Sequence, residues 1–167
     1  MRMKRKVIIV GFMAAVLFIT AGAALAGQVN GTGKSHLGNT IGYNAKSDLT
    51  GSFEYNGDPN GAQSTINAHC NDYIKYVEGT FTDRNQNPGT YPMVTVATTG
   101  CADQLTGQTY KLVAALVDEG EPGTYDFACI RIYDLRSGHL LVHDKGYIQN
   151  GNIQIHLDTK DSQLVSS

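Results

Sequence analysis

Phe53 and Tyr55 alternate with Ser52 and Glu54 in G-S-F-E-Y-N, residues 51–56. A period of two puts neighbouring side chains on opposite faces of an extended chain, the signature of a half-buried strand. The same grammar runs through the rest of the sequence, and no amphipathic helix of useful length interrupts it. S-T-I-N-A-H-C, Y-I-K-Y-V-E-G-T-F, Y-P-M-V-T-V-A-T-T, D-F-A-C-I-R-I-Y-D and G-H-L-L-V-H-D are short and rich in strand formers. Gly, Pro and Asn turn signals separate them: G-D-P-N-G at 57–61, R-N-Q-N-P-G-T at 84–90, G-C-A-D-Q-L-T-G at 100–107 and Arg136-Ser137-Gly138. Pro92 falls near the start of its strand, where a missing N–H is tolerated. T-Y-K-L-V-A-A-L-V, 109–117, is apolar on both faces and predicts a central strand. Near the end, Asn150-Gly151 predicts a two-residue hairpin turn between 146–149 and 152–157, because both residues accept the positive φ of a type I′ turn. Ile153, Ile155 and Leu157 then share one face, and Asn152, Gln154 and His156 the other.

Short strands between turns predict an all-β fold, an antiparallel sandwich or barrel of roughly eight strands. The single domain is expected at 41–157. A Gly- and Asn-rich flexible leader at 27–40 precedes it, and a polar tail at 158–167 follows it.

The chain begins with Arg2, Lys4, Arg5 and Lys6, then an apolar run at 7–24, then Ala24-Leu25-Ala26. Basic start, apolar run and small-x-small site are the three parts of a secretory signal peptide, expected to be cut after Ala26. No cysteine follows the site, which argues against a lipid-anchored form. Cleavage removes 26 of 167 residues and leaves 141, enough for one domain with a real core. It also removes four of 13 basic residues, leaving nine against 15 acidic ones, a net charge of −6. An acidic exported domain is a poor partner for nucleic acid, whose phosphates need a basic face. The expected partner is extracellular or on the cell surface, with no membrane association after cleavage.

Cys70, Cys101 and Cys129 are the disulfide candidates. Export permits disulfides, and three cysteines allow one of three single pairings with one thiol left as a small buried hydrophobe. Gly33-Lys34-Ser35 imitates the end of a phosphate-binding loop, but the glycine required five positions earlier is Gln28.

The candidate site is V-D-E-G-E-P-G-T-Y-D, 117–126. Glu121-Pro122-Gly123-Thr124 suits a type II turn, with proline at its first central position and glycine supplying the positive φ at the second. Asp118, Glu119, Glu121 and Asp126 are the surplus: four carboxylates with no Lys or Arg between them. Such a cluster is either solvated or screened by a hard cation, and Ca²⁺ takes six to eight oxygens of this kind. The spacing is not that of an EF-hand. A catalytic pair is disfavoured, because glycosidase chemistry needs two carboxylates across a cleft.

His36, His69, His139, His143 and His156 complete the ionisable set. His139 and His143 would share a strand face, either as surface or half-buried histidines on a polar face or, with His69 or Cys70 nearby, as a transition-metal site. His69 and Cys70 are adjacent and point to opposite faces, so this histidine cannot serve this cysteine as a base. There is no H-E-x-x-H, no C-x-x-C and no G-x-S-x-G. No catalytic residue is assigned.

G-Y-N-A-K-S-D (42–48), S-F-E-Y-N (52–56), V-D-E-G-E-P-G-T-Y-D (117–126) and G-N-I-Q-I-H (151–156) occur in this order. Together they resemble the post-COAP type of secreted β-domain, over most of 41–156. The resemblance implies an exported all-β domain and brings no catalytic residues. The longer middle at 76–108 and the cysteine complement depart from that pattern. The expected function is a non-enzymatic cell-surface or extracellular structural or binding module, with the acidic loop as a Ca²⁺-stabilised tip. The alternatives are a secreted hydrolase and a small-ligand-binding β-barrel.

Overall fold

A computed structural model describes residues 27–58, 65–120, 123 and 125–158. The expected signal peptide, most of the Asp-Pro turn after β3, Glu121 and nearly all of the polar tail lie outside the described residues. Among those residues the protein is all-β with no helix. It has ten strands: β1 Gln28–Lys34, β2 Thr40–Lys46, β3 Gly51–Gly57, β4 Ile66–Asn71, β5 Lys75–Asp83, β6 Gly89–Asp103, β7 Thr109–Val117, β8 Phe127–Asp134, β9 Leu140–Tyr147 and β10 Asn150–His156. Every pairing is antiparallel, in the order β10-β1-β2-β3-β4-β6-β7-β8-β9, with β5 beside β6.

The sheet curls so that one face becomes the core. Ile41, Tyr43 and Ala45 on β2 are buried, as are Phe53 and Tyr55 on β3. Leu112, Ala114 and Leu116 on β7 and Ala128, Ile130 and Ile132 on β8 continue the same face. Each set is spaced by two, so the alternation in the sequence is the inside–outside alternation of the sheet. β7 lies between β6 and β8, as its apolar run predicts, and its outward Val113 and Ala115 are half-buried. β10 packs against β6 and β7 across the interior.

The expected leader is a strand. β1 sits between β10 and β2, in register with both. Its glycines are packing residues: a Cβ on Gly31 would lie 2.1 Å from the Asn152 carbonyl oxygen and 2.5 Å from the Tyr43 hydroxyl. Glycine spacing that resembles a linker here permits close approach of neighbouring chains. The expected Asn150-Gly151 hairpin is also absent. Both residues belong to β10 and pair with Lys34 and Gly33 of β1, while β9 lies at the opposite end of the strand order. Gly151 has φ +131°, and a Cβ there would meet the Thr32 carbonyl oxygen at 2.1 Å. Long-range pairing with β1 outweighs the local turn preference. Likewise β6 does not stop at Gly100. It runs on to Asp103 through a register shift between Thr98 and Cys101, the mark of a bulge.

That continuation sets Cys101 directly opposite Cys70 on β4, and the two form the disulfide. Cys129 is free and half-buried, not fully enclosed, with its Sγ 3.9 Å from His143 Nε2.

Asp134 closes the β8–β9 turn. Its Oδ1 accepts from the Ser137 N–H and hydroxyl, each at 2.6 Å, and Oδ2 accepts from Gln108 Nε2 at 2.8 Å. The Ser137 hydroxyl and N–H hold its pKa down to about 2. An unfolded aspartate titrates near ~4. The folded form therefore has the lower pKa, and the stabilisation is present above pH ~4 and lost as pH falls through about 2. Asp134→Asn is expected to weaken the pH dependence of unfolding between those limits; an unchanged acid limb in pH-stepped urea titrations would contradict this role.

Candidate functional site

The acidic loop joins β7 to β8 and is held down by its own carboxylates. Asp126 is 0% exposed. Its Oδ1 accepts from the Glu119 N–H at 2.9 Å, and Oδ2 accepts from the Ile153 N–H of β10 at 2.5 Å. Asp118 Oδ2 accepts from the Ile155 N–H at 3.0 Å, and its Oδ1 accepts from the Gly120 N–H at 3.0 Å. Ile148 N–H donates to the Asp126 carbonyl at 2.8 Å. These bonds fasten the loop to β10 and to the strand connection before it. Gly123 has φ +76° and donates its N–H to the Gly120 carbonyl at 2.9 Å; the other three residues of the expected type II turn lie outside the described residues.

Asp118 and Asp126 thus complete backbone hydrogen bonding that the edge of β10 would otherwise leave open. Asp126→Ala strands two buried N–H donors, and a loss of about 3 kcal/mol is expected from that alone. Chemical denaturation of the variant measures it; a loss within experimental error would show that water replaces the carboxylate freely.

Glu119 is different. It is 7% exposed, and neither carboxylate oxygen has a hydrogen-bond partner. Burial, then the charges of Asp83 and Asp126, push its pKa up to about 7; the Asn87 side chain is the nearby group that favours the charged form. Asp83 ends β5 and is itself buried. Its Oδ1 accepts from the Asn85 N–H at 2.8 Å, and Oδ2 accepts from the Asn87 N–H at 3.0 Å and the Tyr147 hydroxyl at 2.8 Å. The Asn85 N–H, foremost among these donors, lowers its pKa. Phe81 stacks on Phe127 with ring centres 5.2 Å apart, and Phe127 meets Tyr147 edge-on at 5.5 Å. Those rings draw the β5–β6 turn against the β7–β8 loop.

Of the four residues expected to bind a cation, Glu121 lies outside the described residues. The structure brings Asp118, Glu119 and Asp126 into one loop, but with different work. Two are spent on backbone donors, and one is buried with spare oxygens. No three His, Cys, Asp or Glu side chains form a metal-ligating group among the described residues. The histidines stay apart. His143 is paired with Arg131 on β8, His139 precedes β9, and His69 lies 3.4 Å from Glu54 on the outer face. Cys70, next to His69, is buried on the other face, as strand alternation requires.

Sequence reasoning missed Asp83, Asn87 and Asp144. D-R-N-Q-N-P-G reads as a turn, yet its leading aspartate is a capping acceptor for the following amides. Asp144 shares the inward face with Val142, so period two marks it as a buried carboxylate.

Three surface clefts are polar and shallow. One of about 330 Å³ is lined by Gly31, Thr32, Gly151, Asn152 and Gln154. The other two lie beside Asp134, lined by Gly107, Gln108 and Arg136 or by Lys111, Tyr133 and Leu135. No helix of the described residues is long and apolar enough to cross a membrane. Comparison with protein-family models, with curated proteins and with solved structures found no match.

Proposed function

We propose that the chain is an exported, non-enzymatic β-module, a rigid scaffold at the cell surface or outside the cell whose acidic loop is stabilised by Ca²⁺. The observation that carries this reading is the Cys70–Cys101 disulfide, formed in register between two core strands. Disulfides of this kind persist in oxidising compartments, in keeping with an extracellular location. The resemblance to post-COAP-type domains and the signal-like start imply the same.

The fate of the buried carboxylates supports the non-enzymatic part. Asp103 accepts from Leu105 and Thr106 N–H at 2.8 Å and from Asn67 N–H at 3.1 Å. Asp126 and Asp144 are also engaged with several donors. Groups so engaged organise backbone; a general acid or base must be free to exchange a proton with substrate. Large side chains such as Tyr55, Tyr110, Phe53 and Leu112 fill the inner face of the sheet, where a ligand-binding barrel would instead keep an apolar cavity. A scaffold then binds through its outer face and loops.

Exported protein, purified and labelled, is expected to remain with cell envelopes or extracellular matrix and to leave glycosidic, peptide and ester model substrates intact. Turnover abolished by Asp83→Asn or Glu119→Gln in a folded variant would replace this reading with the hydrolase.

A further inference from the structure

The strand order ends at β10 and at β9, and β5 stands beside β6 off that path. The fold occupies the first two of these strands. On β10, the Asp126 and Asp118 carboxylates take the N–H groups of Ile153 and Ile155. On β9, Asp144 docks the β1–β2 turn. β5 is treated differently. It pairs with β6 along all of Lys75–Asp83, without a register shift. Among the described residues no backbone hydrogen bond reaches it from any other element. A long, regular edge is a template for another strand, and folds usually shorten, bulge or cover one.

The sequence of this edge, K-Y-V-E-G-T-F-T-D, complements itself about Gly79. Laid antiparallel on a second copy with Gly79 opposite Gly79, Val77 falls opposite Phe81 and Tyr76 opposite Thr82. Strand alternation keeps Val77 and Phe81 on one face. Val77 is 45% exposed, and Phe81 is half-buried on Phe127. Apolar and aromatic pairs of this kind stabilise neighbouring strands. Glu78 meets Thr80, so no like charges stand directly opposite. Lys75 falls opposite Asp83; that carboxylate is engaged by its own turn, so the two attract at a distance.

Other registers lose this match. Centring on Glu78 sets two glutamates face to face, and centring on Thr80 sets Val77 against Asp83. A parallel two-fold pairs Lys75, Glu78 and Asp83 each with itself, and like charges directly opposite are destabilising.

We propose that β5 is a homodimer edge: two copies join their sheets through antiparallel β5 strands, related by a two-fold axis at Gly79. The same patch serves both copies, as an isologous interface requires. The inference is independent of export and of any bound ion.

Sedimentation velocity over a concentration series tests it, with Cys129→Ser as the background for cross-linking. Wild type is expected to pass from monomer to dimer. Val77→Lys sets a charge against Phe81 of the other copy and is expected to raise the dimer Kd about tenfold or more. Its thermal midpoint under monomeric conditions is expected to match wild type, because Val77 is exposed. Gly79→Cys has room for its Cβ, whose nearest neighbour would be Met93 Cε at 3.6 Å. Its Cα atoms would lie about 4.5–5.5 Å apart across the axis, within disulfide reach, and mild oxidation is expected to link the dimer. Thr82→Cys puts its two copies about 20 Å apart and is expected to stay unlinked. A protein that stays monomeric up to millimolar concentration would overturn the proposal and leave the edge to an extended peptide of another protein. A dimer that does not link through Gly79→Cys joins by another surface or register and overturns it as well. Should Val77→Lys fail to fold, the two cysteine variants decide.

Discussion

Replacing Asp144 by alanine is expected to lower stability by about 4 kcal/mol, the combined effect of stranding several buried donors that now meet a carboxylate. Asp144 is on β9, at one end of the sheet, and is 1% exposed. The Ser35 hydroxyl donates to it, as do the Leu37 N–H at 3.2 Å, the Asn39 side-chain amide at 3.3 Å and the Tyr55 hydroxyl at 3.4 Å. Asn39 also donates to Tyr55 at 2.6 Å. Ser35, Leu37 and Asn39 belong to the β1–β2 turn, so one carboxylate bridges β9, at one end of the strand order, and the first connection of the sheet. No ladder of backbone bonds does this job. Domains of this size hold only about 5–15 kcal/mol in total, so the variant is expected to be marginal at physiological temperature. Asp144→Asn keeps one acceptor oxygen and is expected to lose less. A denaturation midpoint for Asp144→Ala equal to wild type would mean that the turn docks on β9 without the carboxylate.

The second large effect concerns the disulfide. Cys70 and Cys101 are 31 residues apart in sequence. Closing a loop of that length restricts the unfolded chain, and chain-entropy reasoning puts the stabilisation near 4 kcal/mol. The Cys70→Ala/Cys101→Ala variant is expected to melt roughly 10–20 °C below wild type. Part of that fall is cavity formation, because both sulfurs are in the core. Reduction of wild type under native conditions separates the two contributions: it opens the loop and leaves the atoms in place. A fall of a degree or less on reduction would contradict the entropic account. Cys129 variants are expected to leave the midpoint nearly unchanged, since that side chain is half-buried on the outer face beside His143.

What could be read in the sequence was whatever depends on near neighbours along the chain. Phe53 and Tyr55 announce an inward face because alternation is a property of one strand. The run from Thr109 to Val117 announces a central strand because both its faces are apolar. Long-range partners were not legible. Asn150-Gly151 has every local mark of a turn, yet its backbone approaches β1 so closely that glycine is needed for space. Gly31 and Gly33 look like linker residues for the same reason. The candidate site divides in the same way. Its acidic loop was visible as a charge surplus. Its second half, Asp83 and Asn87, lies more than thirty positions earlier and meets Glu119 only because the β5–β6 turn folds over β8.

Export of a disulfide-closed domain underlies the proposed function. Intact and peptide mass spectrometry of unreduced protein, recovered outside the cytoplasm, tests that directly. The expected result is a mature chain starting at Gly27, with one disulfide joining the peptides that carry Cys70 and Cys101 and with Cys129 free. A cytoplasmic chain that keeps its first 26 residues and carries three reduced thiols would contradict it.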